Sequence, residues 1–259
     1  MLRPSSGWRW SGAVLFFGLV LGISGPARAA APELRITPNE VEIGSFFEGA
    51  QVELQGTIPG GAAAVVEVLG NTASEKLLRK GRRAGLWMSV GEIRVHNVPS
   101  LYLELSSSPK IPELTGTATP WGFAALQREV KFSGSIEAGE QAKFFQEFLE
   151  LKQHERIYRI LPGSLKISAA QEGRSAVRGI IPLPAKVPTG KYQVRLSVLQ
   201  DGHLLGQKVT ALTVKMVGFP AMLADMAHQQ GALYGVLAVI IAIVTGFLMG
   251  ILFKGKAEH

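Results

Sequence analysis

The chain has 259 residues, 47% hydrophobic and 18% charged, a balance too apolar for a disordered chain and enough for one large or two small domains. It contains no cysteine, which excludes disulfides, thiolate metal sites, iron–sulfur clusters, cysteine-tethered haem and a lipidated N-terminal cysteine. The formal net charge of +7 drops to about +4 without the uncompensated Arg3, Arg9 and Arg28, too weak a bias for nucleic-acid binding.

Residues 1–29 have the three parts of a secretory signal peptide. Arg3 and Arg9 form a positive start, and Ala13 to Ile23 an apolar run of roughly a dozen residues, too short to span a bilayer. Gly25 and Pro26 break that run, and Ala27-Arg28-Ala29 offers a small-x-small cleavage site. Export is the expectation.

From Ala30 onward the apolar pattern has period two. Leu34-x-Ile36, Val41-x-Ile43, Val52-x-Leu54, Val65 to Leu69, Ile93-x-Val95 and Leu101-x-Leu103-x-Leu105 read as short strands between Gly and Pro turns. Their length and spacing predict a mainly β ectodomain of immunoglobulin-like sandwich type. Within it, Lys76, Arg79, Lys80, Arg82 and Arg83 crowd into EKLLRKGRRAG. This segment reads as a Gly-bounded loop, either merely solvated or poised to meet an anionic surface.

Pro109 to Gly122 has the composition of a linker, which divides the exported part into a first β domain (30–108) and a helix-plus-strand domain (109–218). A single elaborated sandwich is the alternative. Gly139 to Arg156 predicts one inserted amphipathic helix, with Phe144, Phe148 and Leu151 on one face and Phe145 and Leu149 beside them. Pro188-x-Gly190-x-Tyr192 leads into Tyr192-x-Val194-x-Leu196-x-Val198, and Asp201-Gly202 is a hairpin turn. Pro188-x-Gly190-x-Tyr192 resembles the entry to a late strand in many exported sandwich modules, a resemblance that implies Tyr192 packs at a corner and donates its hydroxyl to the backbone, a structural role.

Residues 219–231 form a juxtamembrane segment, with Met222, Leu223 and Met226 placed to lie on a membrane surface. Ala232 to Phe253 is a chargeless run of about 22 residues, enough to cross ~30 Å of hydrocarbon at 1.5 Å per residue. Lys254 and Lys256 follow within the tail 254–259, so the positive-inside rule predicts a cytoplasmic C-terminus. Ala238, Ala242, Gly246 and Gly250 recur every fourth residue, a spacing that stacks small side chains on one helix face for a packing partner. Chance also makes such rows.

No chemistry-bearing constellation stands out. His96, His154, His203, His228 and His259 lack ligand spacing, and no Ser sits in a nucleophile-elbow motif. Neither metal, cofactor nor catalytic residue is expected, and the chain reads as a non-enzyme. The expected function is a membrane-anchored periplasmic accessory or assembly protein of a membrane complex. The alternative is an anchored binding module for an envelope glycan or anion.

Several motifs resemble a known family. They are Ile36-Thr37-Pro38, Ile43-Gly44-Ser45-Phe46-Phe47, Gly85-Leu86-Trp87-Met88, Leu183-Pro184-Ala185-x-Val187-Pro188, Val214-Lys215-x-x-Gly218-Phe219 and Leu233-Tyr234-Gly235. Together they resemble the uncharacterised transmembrane protein family described from alphaproteobacteria. The resemblance implies a signal peptide, an exported bulk and one C-terminal span in the inner membrane, and transfers no catalytic residue. Family members are often encoded near transporters of the sulfite-exporter type, which implies a polytopic permease as partner beside the bilayer itself.

Overall fold

The computed structural model describes residues 31–83, 85–111, 119–136 and 139–254. The expected signal peptide, the middle of the expected linker and the tail beyond Lys254 lie outside these described residues. Within them the chain is mainly β, as its alternating pattern predicts.

A four-stranded antiparallel sheet runs in the order β1 (Glu33–Thr37), β3 (Gly49–Pro59), β11 (Arg174–Pro184) and β10 (Lys166–Ile167). A six-stranded sheet runs β2 (Glu40–Ile43), β13 (His203–Met216), β12 (Gly190–Gln200), β4 (Ala63–Leu69), β7 (Tyr102–Ser106) and β9 (Tyr158–Leu161). Its outer pairs, β2 with β13 and β7 with β9, are parallel, and its inner pairs antiparallel.

The alternation of β3 and β12 decides which faces meet. Val52 and Leu54 point inward from β3 while Gln51, Glu53 and Gln55 stay in solvent, because neighbouring side chains in a strand take opposite faces. Tyr192, Val194, Leu196 and Val198 do the same from β12. These residues join Val66, Val68, Leu103, Val177 and Ile181 in one buried cluster. The sheets approach closely: a Cβ added at Gly56 would lie 3.4 Å from Leu196 Cδ2. Such burial removes roughly 1.5–3 kcal/mol worth of apolar surface per side chain from water. This is a β-sandwich.

β4 is buried on both faces. Val65 points away from the sandwich interior and is covered by Ile111 and Trp121, together with Leu199. The described ends of the expected linker are therefore packed against the six-stranded sheet, with Ile111 and Trp121 almost fully buried. Their apolar side chains outweigh the Pro and Gly around them. The two-domain division also fails against the pairing. β3 is hydrogen-bonded along its length to β11, and β4 to β12. Both sheets thus take strands from each side of residue 109, and the alternative of one elaborated sandwich describes them.

A third, smaller sheet consists of β5 (Thr72–Arg83), β6 (Leu86–Pro99) and β8 (Lys131–Gly134). Before β8 comes the short helix α1 (Gly122–Glu129), and after it α2 (Gln141–His154). The predicted helix is present, but its buried face is Phe145, Phe148, Leu149 and Lys152. Leu151, expected inside, is 45% exposed. A lysine takes that inward position because Lys152 Nζ lies 2.6 Å from both oxygens of Glu75 on β5. Phe148 packs edge-on against Phe132 of β8 and Tyr158 of β9.

One end of the six-stranded sheet is where the chain leaves the sandwich twice. Gly190 pairs with Val214, Gln193 with Leu69, and Leu69 with Tyr102, which places the end of β13 and the end of β4 together. From β4 the chain passes into β5. From β13 it passes through Val217 into α3 (Gly218–Gln229) and then α4 (Gly231–Lys254). The Val217 amide donates to Ile43 O at 2.9 Å, and Lys215 pairs with Glu40 and Glu42 of β2. The juxtamembrane segment is thus helical, and it follows the sheet without a flexible stalk.

Candidate functional site: the basic hairpin and the buried carboxylates

Lys76, Arg79, Lys80, Arg82 and Arg83 lie on strand β5, not on a loop. Their register with β6 is continuous from Thr72–Pro99 to Arg83–Leu86, with bulges after Ala73 and Arg79. The charge run hides the strand because both faces of this ribbon reach solvent, so no apolar alternation marks it. Only Gly85, at φ 84°, marks the turn.

The five cations split into two groups. Lys76 pairs with Glu92 at 2.6 Å, and with Arg94 it holds the Glu92 carboxyl below the ordinary carboxylate range. Arg79 lies 3.8 Å from Glu140 and 5.4 Å above the Phe144 ring. Lys80, Arg82 and Arg83 are exposed and make no ion pair among the described residues. Across the ribbon from them stand Ser89, Trp87 and Leu86. Leu86 is 68% exposed, Trp87 72% and Met88 46%. Higher up, a groove of about 410 Å³ separates β5 from α2, with Leu77, Arg79, Lys80, Phe144, Glu147 and Phe148 in its walls.

A second constellation escaped the sequence analysis. Glu67 of β4 and Glu104 of β7 stand opposite each other in the register, and Arg195 of β12 pairs with Glu67 from the other side. Tyr102 Oη is 3.0 Å from Glu67 and 3.4 Å from Glu104, and it accepts the Gly122 amide at 2.7 Å. Arg195 approaches Glu67 at 3.6 Å. Burial raises the Glu67 carboxyl and, with the Glu67 charge beside it, pushes Glu104 up to about 7. Burial also raises the Tyr102 phenol, and both carboxylates add to that. The available signal was one Glu in the middle of each of two apolar runs, VVEVL and YLELS. With both carboxylates almost fully buried, the arrangement holds the start of α1 against the sheet through the Gly122 amide.

The described histidines do not gather into a metal-holding group. His96 Nδ1 lies 3.0 Å from Ser74 Oγ and its Nε2 2.9 Å from Ser133 Oγ, a polar rung across β5, β6 and β8 with no carboxylate in it. Among the described residues no group of three His, Asp or Glu side chains is placed to hold a metal ion. Tyr192 behaves as expected, its hydroxyl donating to Pro188 O. In α4, Ala238, Ala242, Gly246 and Gly250 are all exposed, and a Cβ added at Gly246 or Gly250 would meet nothing within 4 Å.

A family model described as "putative transmembrane protein" (Alph_Pro_TM) matches residues 33–255. No curated protein matches the chain. Among solved structures, domain 1 of VCBP3 from Branchiostoma floridae is 11% identical, with 73% of this chain and 96% of that one covered and a TM-score of 0.24. Murine CRIg is 9% identical, with 72% and 98% covered and a TM-score of 0.25. The C-terminal domain of the Streptococcus agalactiae AgI/II polypeptide BspA is 11% identical, with 71% and 50% covered and a TM-score of 0.25. Likenesses this distant carry no function to this chain.

Proposed function

The chain belongs to the family described as "putative transmembrane protein", and from that premise we propose that it is a membrane-anchored accessory protein that binds and does not catalyse. In this reading the sandwich lies in the periplasm, the C-terminus in the cytoplasm and the span in the inner membrane. Its partner is a polytopic membrane protein of permease type.

The observation that carries the reading is α4. It offers 23 residues from Gly231 to Phe253, the most apolar window of which has a mean hydropathy of 2.9 and is nowhere buried against the rest of the chain. A helix of that length spans ~35 Å at 1.5 Å per residue. Its small-residue row is bare, open to a neighbouring helix. A hydrogen-bonded junction at Val217 leads from the sheet into α3, and α4 follows one residue after α3, so the sandwich is delivered close to whatever α4 packs on.

The test is crosslinking in native membranes, followed by identification of the captured proteins. The expected result is one polytopic protein, lost or strongly reduced in Gly246→Leu and Gly250→Leu variants that still insert. Unchanged capture in both variants removes the packing row from the reading. A reporter fused after His259 is expected to be active only if it works in the cytoplasm. Activity of a periplasm-specific reporter there would invert the topology.

A further inference from the structure

The end of the β5–β6 hairpin combines two features that a soluble turn does not need together. Leu86, Trp87 and Met88 are consecutive, apolar and largely exposed. Their cross-strand partners are Arg83, Arg82 and Gly81, and Lys80 follows opposite Ser89. Paired residues share a face of a ribbon and neighbours along a strand take opposite faces. Leu86, Arg83 and Met88 therefore occupy one face, and Trp87 and Arg82 the other. Apolar groups and unpaired cations stand on both sides of the tip. A groove on a protein would cover one face, whereas end-on immersion in a lipid surface covers both.

The topology supplies the surface. The hairpin and the membrane helix leave the sandwich from the same end of the six-stranded sheet, where Leu69 and Val214 flank β12. Tryptophan is the side chain best suited to the headgroup layer, and long cationic side chains lie along apolar surface while keeping their charge at the phosphates. Three residue pairs reach ~10 Å along a strand, the depth to which interfacial segments enter a bilayer.

We propose that this hairpin tip is a second membrane contact, in which Leu86, Trp87 and Met88 enter the headgroup layer of an anionic bilayer and Lys80, Arg82 and Arg83 engage its phosphates. The inference rests on the reading of α4 as a span. With α4 it fixes the sandwich at two points and so sets its tilt over the membrane. Lys76 and Arg79, already paired, stand above the contact.

The chain has no cysteine, so a single introduced one is a unique label site. The full chain carrying Met88→Cys, and separately Ser89→Cys, is labelled with an environment-sensitive fluorophore and reconstituted into phosphatidylcholine vesicles with or without phosphatidylglycerol. Quenching by shallow spin-labelled lipid is then measured. Strong quenching is expected in the anionic vesicles and weak quenching in 0.5 M salt. Replacing Lys80, Arg82 and Arg83 by Gln should lower the bound-to-free ratio of the tip by on the order of 100-fold, about fivefold per cation. Lys76→Gln should leave quenching unchanged. A Val239→Cys label on α4, read with a lipid spin-labelled deep in its acyl chain, is the control. If it is quenched while the tip labels are not, the hairpin contact is overturned and the span stands. If none is quenched, the span itself fails. Tip labels that crosslink to a protein in native membranes, yet stay unquenched in anionic vesicles, assign the tip to that protein and overturn the lipid contact.

Discussion

Tyr102 has one phenolic proton and two carboxylates within reach, while its oxygen already accepts the Gly122 amide. If Tyr102 donates to Glu67, the Glu104 oxygen at 3.4 Å has no donor unless Glu104 carries its own proton. Burial favours that neutral form, which is why Glu104 titrates near 7. The sign of the pH dependence follows. Between the ordinary carboxyl value of 4.5 and about 7 the folded chain binds more protons at this site than the unfolded chain. The stabilisation is complete at low pH and is lost as pH rises through 7. Glu104→Gln keeps a donor for Tyr102 and removes the charge. It should raise the melting temperature at pH 8, with a gain of roughly 2–3 kcal/mol, and change it little at pH 5. Equal shifts at both pH values would show that Glu104 does not titrate between them. Tyr102→Phe leaves the Gly122 amide without its acceptor and Glu67 with Arg195 alone, and should cost roughly 1–3 kcal/mol. None of this was legible beforehand, because a lone Glu in an apolar run does not say which strand lies opposite it.

The elements that the sequence predicts best are those whose pattern and partner are both local. The β12–β13 hairpin is one: Asp201 and Gly202 both take positive φ, 50° and 80°, and Gln200 pairs with His203 across them. Helix α2 was found by its period but with its face displaced, since Phe144-Phe148-Leu151 and Phe145-Phe148-Leu149-Lys152 are equally good apolar stripes until Glu75 appears 77 residues away. Truncations distinguish the two. Phe148→Ala should destabilise the folded part by roughly 3–5 kcal/mol, and Leu151→Ala by well under ~1 kcal/mol, read by chemical denaturation. Comparable losses at the two sites would restore the face that the sequence suggests. The basic segment was misjudged for a different reason. Its strand is held by backbone pairing with β6 and by Glu75 and Arg79 reaching α2, and a local side-chain pattern carries no trace of either.

At the scale of the whole molecule, the strongest sequence signal was the apolar span, because twenty-odd chargeless residues need no partner to be recognised. The sheet order was the weakest. Pairing such as Pro59 with Arg174 or Leu69 with Gln193 is non-local, and every strand with a buried face looks alike before its neighbour is known. The proposed boundary at residue 109 therefore fell between segments that complete each other's sheets. Residues 31–108 alone would keep β1, β3, β4 and β7 but lose β11 and β12. β3 would then expose the edge now paired with β11, and Leu54, Val66 and Val68 would lose Val177, Leu196 and Val198 from the same core. At roughly 1.5–3 kcal/mol for each buried side chain, the loss of these three alone is comparable to the ~5–15 kcal/mol that a domain has in hand. A fragment ending at 108 should show no slow amide exchange in β4. Residues 31–217 should protect β4, β12 and β13 together and unfold in one transition. Protection of β4 in the short fragment would mean that the first half folds alone, and that the interleaved pairing is an addition to a domain already complete.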